Sequence, residues 1–121
     1  GKALSRCKIM LLGVAYKGDI DDVRESPALK VWEELENKGA KVVYHDPYCA
    51  SVKWHGETVD STPLTQETIQ QCDAVLITTW HKHKVDYKML LDNAPVIFDT
   101  KNAIVSVLGQ DALDNKKLYR L

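Results

Sequence analysis

The 121-residue sequence lacks most features of secreted, membrane-spanning and nucleic-acid-binding proteins. No apolar run approaches the roughly 20 residues of a transmembrane helix, and the first six residues, GKALSR, lack the apolar core of a signal peptide. The 17 acidic and 16 basic residues are mixed along the chain, which excludes the clustered basic surface that nucleic acids require. We therefore expect a cytoplasmic protein that binds neither nucleic acid nor a membrane.

Cysteine is also scarce. Cys7, Cys49 and Cys72 are widely spaced and form no C-x-x-C pair, which argues against a disulfide framework and a zinc knuckle. We expect reduced thiols, with Cys7 and Cys72 partly buried.

The sequence has no initiator methionine and starts a few polar residues before its first apolar run. This start suggests an excised piece of a longer protein. We expect residues 1–7 to be a linker or the tail of a preceding domain, and residues 8–121 to form one domain with a core of its own, since 45% of all residues are hydrophobic.

Apolar runs and turn signals alternate along the chain. The runs predict four core strands, over residues 7–12, 41–45, 73–79 and 95–99. Helical spacing and capping residues predict three helices, over residues 26–38, 65–72 and 86–91, the last with Asp86 as its cap. The alternation predicts an α/β fold, a Rossmann-like, doubly wound and mostly parallel sheet with helices on both faces.

The remaining segments are predicted as connections. Residues 48–64 form a polar connection with one short edge element near residues 52–54, residues 100–103 form an exit loop, and residues 117–121 form an edge strand.

A long polar loop, residues 13–25, joins the first strand to the first helix. Loops of this length are usually functional. Lys17 and Arg24 would lie beside a helix N-terminus, a place that favours phosphate. The alternative is that both cations only neutralise the acidic residues of a solvated loop.

Parallel strands end at the same edge of a sheet, so four polar strand exits should face one another there. These exits are Tyr16/Lys17/Arg24, His45/Asp46, Thr78/Thr79/Trp80/His81 and Asp99/Lys101/Asn102. We expect a ligand-binding crevice between them.

Other chemistries are less well supported. A dinucleotide-binding fingerprint needs G-x-G-x-x-G, and here Gly13 stands without the other glycines. His81 and His83 fit a solvated loop better than a metal site. No paired acid and base or activated nucleophile is apparent, so we assign no catalytic residue and no metal ligand.

Four segments resemble the C-terminal domain of the UDP-glucose/GDP-mannose dehydrogenase family. They are LGVAYKGDIDDVRESPA (12–28), GAKVVYHDP (39–47), CDAVLITTW (72–80) and VIFDTKN (96–102). The resemblance implies a parent enzyme with an NAD-binding Rossmann domain, a central domain that forms a homodimer, and this domain closing over a nucleotide sugar. Such enzymes oxidise the sugar C6 alcohol to a carboxylate in two NAD-dependent steps. Their catalytic cysteine lies in the central domain, so this chain alone should be inactive.

The resemblance also implies roles for four residues. Lys17 matches a lysine that reaches the nucleotide sugar, and Tyr16 matches an aromatic residue beside the base or sugar. Arg24 matches an arginine that reaches the phosphates of NAD. Lys101 stands where the family commonly has arginine, so it keeps the charge but lacks the bidentate fork.

The parent substrate could be of the UDP-glucose, UDP-N-acetylhexosamine or GDP-mannose type. Residues 98–103 and 118–121 look more like the UDP-N-acetylhexosamine dehydrogenases. The alternative function is a free-standing Rossmann-like binding or interaction module without dehydrogenase activity, which would have a natural start site near residue 1.

Overall fold

A parallel five-stranded sheet forms the centre of the fold. The computed structural model describes residues 4–14, 27–79, 85–101, 103–111 and 117–120. The sheet strands are β1 (Lys8–Leu12), β2 (Lys41–His45), β5 (Ala74–Ile77), β6 (Ile97–Asp99) and β7 (Leu118–Arg120). Two further strands, β3 (Ser51–Trp54) and β4 (Glu57–Asp60), form a separate antiparallel hairpin.

The strand order β2-β1-β5-β6-β7 confirms the predicted doubly wound sheet, in which every neighbouring pair is parallel. The chain runs from β1 outward to β2 and then crosses back to β5 on the other side of β1. The topological switch point therefore lies between β1 and β5. Leu12 is in register with both His45 and Ile77, so these three strands end at one level.

Helices cover both faces of the sheet, as predicted. They are α1 (Pro27–Asn37), α2 (Gln66–Gln70), α3 (Tyr87–Asn93) and α4 (Ala103–Leu108). Residues of α2, α3 and α4 pack on one face in what we call the aliphatic layer. It consists of Met10, Leu12, Ile69, Cys72, Val75, Ile77, Val85, Tyr87, Leu90, Leu91, Ala94, Ile97, Ala103 and Ile104.

The other face is covered by α1 and the hairpin. We call this packing unit the aromatic layer, because it is built around Trp32, Tyr44 and Trp54. Its further buried members are Leu11, Val14, Ala28, Val42, Cys49 and Val52.

Local signals define the helix ends where the sequence placed them. Pro27 begins α1, consistent with the preference for proline in the first turn. Gly39 follows α1 with a φ of +92°, and its N–H donates to the Glu36 carbonyl oxygen at 2.9 Å, which ends the helix. Asp86 caps α3, since its Oδ1 accepts the Met89 N–H at 3.0 Å.

The connection between β2 and α2 differs from the prediction of one short edge element. It contains two strands that pair with each other, outside the main sheet. A two-residue turn, His55-Gly56, joins them with φ values of +51° and +82°. Both central residues of the turn therefore have positive φ, as a type I′ hairpin turn requires.

The segment after β6 also differs from the prediction, because α4 begins inside the predicted exit loop. The Asp99 carboxylate accepts N–H groups of Ala103 at 3.1 Å and Ile104 at 2.9 Å. These bonds satisfy donors of the first helical turn, which have no partner within the helix.

The cysteines are all free thiols. Cys49 and Cys72 are buried and Cys7 is half-buried, so Cys72 is more enclosed than predicted. Burial raises the pKa of the Cys72 thiol. Within the described ranges, no helix combines the length and apolar character needed to cross a membrane.

A candidate ligand site at the carboxyl edge of the sheet

The predicted site residues fall into two groups. Tyr16, Lys17 and Arg24 lie outside the described residues. Lys101 is described: it is exposed just after β6, and its N–H donates to Asp99 Oδ1 at 3.0 Å. Three other residues expected at the crevice also lie outside the described ranges: Trp80, His81 and Asn102. The same is true of His83, which was considered with His81 as a metal ligand.

The ends of β1 and β5 touch at the switch point. Gly13 has a φ of +94°, and a Cβ atom added there would lie 2.5 Å from Thr79 Cβ. The Thr78 hydroxyl donates to the Gly13 carbonyl oxygen and lies 3.2 Å from that of Leu12. No residue other than glycine fits at position 13 without displacing the end of β5.

Asp46, at the end of β2, is 3% exposed and binds main-chain groups with both carboxylate oxygens. Oδ2 accepts the Val14 N–H at 2.8 Å, and Oδ1 accepts the Tyr48 N–H at 2.8 Å. The neighbouring His45 carbonyl oxygen accepts the Gly13 N–H at 2.8 Å. Asp46 therefore joins the exit of β1 to the exit of β2.

Asp99 has an equivalent place at the end of β6 and is fully buried. It accepts three main-chain N–H groups, from Lys101, Ala103 and Ile104. Both buried carboxylates at this edge thus order the main chain.

His45, also expected at the crevice, contacts the segment between the hairpin and α2. Its Nδ1 lies 2.8 Å from the Thr62 carbonyl oxygen. Because a carbonyl only accepts hydrogen bonds, this ring nitrogen carries the proton.

A dinucleotide-binding fingerprint is disfavoured by the sequence, in which Gly13 stands without the other glycines. Residues 15–26, which would continue such a fingerprint, lie outside the described ranges.

No group of three or more His, Cys, Asp or Glu side chains in the described ranges could hold a metal ion. Asp86, which the sequence placed near the two histidines, serves as a helix cap.

Sequence reasoning named most of this edge but missed its internal contacts. The Gly13–Thr79 approach and the Asp46–Val14 hydrogen bond join residues far apart in the chain. No local pattern reports either contact. Asp46 was predicted at this edge, but its hydrogen bond to the main chain of Val14 was not.

The strand order and the helices on both faces define a Rossmann-like domain. A model of the UDP-glucose/GDP-mannose dehydrogenase family, UDP binding domain, matches residues 10–106. The chain belongs to this family, which confirms the resemblance found in the sequence motifs.

The similarity to known proteins covers most of this chain. A UDP-N-acetyl-D-mannosamine dehydrogenase of Methanococcus maripaludis is 29% identical over 90% of this chain and 26% of its own length. A UDP-glucose 6-dehydrogenase of Rhizobium meliloti is 32% identical over 78% of this chain and 23% of its own length.

Among solved structures, the NDP-N-acetyl-D-galactosaminuronic acid dehydrogenase of Methanosarcina mazei superimposes with a TM-score of 0.72 at 27% identity. The match covers all of this chain and 25% of that one. The chain thus spans about a quarter of the length of these relatives.

Proposed function

We propose that this chain is the nucleotide-sugar-binding domain of an NAD-dependent UDP-sugar 6-dehydrogenase, which oxidises a sugar C6 alcohol to a carboxylate. The observation that carries the proposal is the match to the family's UDP binding domain over residues 10–106. That range includes both chain exits beside the switch point, at Gly13 and Thr79.

Tyr16 and Lys17 are the proposed contacts to the nucleotide sugar. They come three and four residues after Gly13, which lies at the edge where open α/β sheets bind ligands. The ammonium group of Lys17 would form charge-assisted hydrogen bonds to phosphate or sugar oxygens.

Lys101 is proposed as a third contact to the nucleotide sugar. It follows β6, which is separated from β1 by β5, and its exposed side chain is available to a ligand. As a single point charge, it would attract phosphate without fixing its orientation.

NAD is proposed to bind mainly to another domain of the parent, with Arg24 reaching its phosphates. NAD bound there would supply the oxidant, one molecule for each of the two hydrides that the C6 alcohol loses on the way to a carboxylate. The sequence supports this division, because Gly13 stands without the other glycines of a dinucleotide-binding fingerprint. The chain alone is expected to bind nucleotide sugar and to lack dehydrogenase activity.

The test is an amide-shift NMR titration of the chain with UDP, with a UDP-N-acetylhexosamine and, separately, with NAD. The proposal predicts that both UDP ligands shift residues 13–24 and 100–103, while NAD has little effect. Lys17→Glu should weaken UDP binding by about tenfold or more, because it replaces a cation with a group that repels phosphate.

Lys41→Glu is the matched control. Lys41 is an exposed lysine of the same sheet, but it begins β2 at the opposite edge. Its reversal changes the net charge equally and should leave UDP affinity unchanged. The proposal would be contradicted if Lys17→Glu and Lys41→Glu lost UDP affinity equally. It would also be contradicted if the chain bound NAD tightly and did not bind UDP.

A further inference from the structure

We propose that Asp46 is a positioning residue for nucleotide-sugar binding. It fixes the main chain at Val14, where the chain leaves β1 toward the proposed contacts Tyr16 and Lys17. This inference rests on the proposed function and adds a residue that would not itself touch the ligand.

The geometry is that of a buried clamp between two chain segments. Asp46 is 3% exposed, and each of its two oxygens accepts a main-chain N–H at 2.8 Å, from Val14 and from Tyr48. Val14 is itself fully buried. A charged acceptor in such a place forms strong hydrogen bonds, and an N–H left without it would lose its partner away from water.

The neighbouring main-chain groups are also held. The Gly13 N–H donates to the His45 carbonyl oxygen at 2.8 Å, and the Gly13 carbonyl oxygen accepts the Thr78 hydroxyl. With the Val14 N–H bound to Asp46, successive polar groups have fixed partners. The direction in which the chain leaves β1 is therefore set from β2 and β5 together.

Lys17 is three residues beyond Val14. A binding group must be held to within about 0.5 Å of its productive position. Loss of the Asp46 contact would let the Val14 peptide group move. The chain that follows Val14 would then start from a different position. The affinity for UDP should therefore fall by more than the loss of folding stability alone would cause.

A matched contact exists at the other end of the same strand. Asp73 Oδ2 accepts the Lys8 N–H at 2.8 Å, so it binds the main chain where β1 begins. It is the same kind of bond at the same distance, but at the amino edge of the sheet, away from the proposed site. Asp73→Ala therefore measures the cost of losing such a bond without disturbing Val14.

The experiment compares wild type, Asp46→Ala, Asp46→Asn and Asp73→Ala. For each, UDP affinity is measured by NMR titration well below the melting temperature, and the melting temperature is measured separately. We expect Asp73→Ala to lower the melting temperature with less than about a twofold change in affinity. Asp46→Ala should weaken UDP by about tenfold and shift the amide resonance of Val14.

Asp46→Asn should be intermediate, because a carboxamide has one acceptor oxygen for two N–H donors. The Asp46→Asn variant also tests the inference if Asp46→Ala fails to fold. The inference would be overturned if a folded Asp46→Asn protein bound UDP as tightly as the wild type. It would also be overturned if Asp46→Ala and Asp73→Ala lost UDP affinity equally. Neither result would contradict the proposed function. Absence of UDP binding by the wild type would overturn the proposed function and the inference with it.

Discussion

The two layers on either side of the sheet are packed in different ways. In the aliphatic layer, helices α2, α3 and α4 contribute Ile69, Leu90 and Ile104, each fully buried. In the aromatic layer, α1 and the hairpin contribute Trp32 and Trp54, whose rings stack with centroids 4.6 Å apart. Trp32 also lies 5.8 Å from the ring of Tyr44.

The aromatic side chains carry polar tips, and these connect the hairpin to its surroundings. The Tyr44 hydroxyl lies 3.0 Å from the Cys49 carbonyl oxygen and 3.4 Å from that of Val59. Trp54 Nε1 donates to Glu36 Oε1 on α1 at 2.7 Å. Among the described residues, Trp32 Nε1 is the buried side-chain donor without a partner.

The difference shows how each layer is specified. Aliphatic side chains stabilise the fold through burial and shape. The stability of the aliphatic layer should therefore depend mainly on side-chain volume. In the aromatic layer, Tyr44 and Trp54 also have polar ends that bind partners at fixed places, so the stability of this layer should be sensitive to the removal of single polar atoms.

The largest effect is expected for Leu90→Ala in the aliphatic layer. Leu90 is fully buried in α3, and its truncation should lower the free energy of unfolding by about 2–5 kcal/mol in urea denaturation. Leu90→Met nearly conserves volume and should cost less than about 1.5 kcal/mol. Similar costs for the two variants would show that volume does not specify this layer.

A smaller effect is expected for Tyr44→Phe in the aromatic layer. The change removes one oxygen atom and leaves the Cys49 and Val59 carbonyl oxygens without this donor. The cost at neutral pH should be about 1–2 kcal/mol. Urea denaturation of both proteins measures it.

This cost should shrink at high pH. Burial, with a contribution from nearby acidic groups, raises the pKa of Tyr44 far above the ordinary value of a tyrosine. The wild type therefore loses stability as pH rises above about 10, because the unfolded chain releases this proton and the folded chain retains it. Phenylalanine cannot ionise, and the other tyrosines contribute equally to both proteins. A difference that stays constant between pH 8 and pH 11 would contradict this account.

The smallest effect is expected for His55→Asn in the hairpin turn. His55 has a φ of +51°, which asparagine tolerates better, and Asn-Gly is the preferred type I′ pair. Loss of the ring contact with Trp54, 4.5 Å between centroids, offsets part of the gain. We expect a net stabilisation of about 0.5 kcal/mol in thermal and urea denaturation.

His55→Ala is its control. Alanine has neither the ring nor the tolerance for positive φ, so it should be less stable than the wild type. If asparagine and alanine destabilise the protein equally, the ring contact with Trp54 outweighs the backbone preference.

The sequence predicted the main sheet well because its strands are continuous apolar runs between strong turn signals. Proline at 27, glycine at 39 and aspartate at 86 all act where they were expected. Even the short edge strand β7 lies within the predicted range.

The hairpin and α4 were missed for different physical reasons. His55-Gly56 lacks the asparagine or aspartate that usually marks a two-residue turn, so only one of the paired strands was predicted. Helix α4 begins four residues after its capping carboxylate at Asp99, further than a usual cap.

The candidate site was predictable only as an edge of the sheet. The strand order indicates which strand ends share this edge, but not the contacts between them. Asp46 is 32 residues from Val14, and Gly13 meets Thr79 across the switch point. Tertiary contacts of this kind leave no periodic signal in the sequence.

The central place of β1 also has a consequence for the order of assembly. The hydrogen bond that joins its end to β2 spans 32 residues, and the one that joins its beginning to β5 spans 65. Because doubling a loop adds only about 0.6 kcal/mol of closure entropy, the longer closure is nearly as accessible as the shorter one. Loop length therefore gives neither β2 nor β5 a strong advantage in pairing with β1 first.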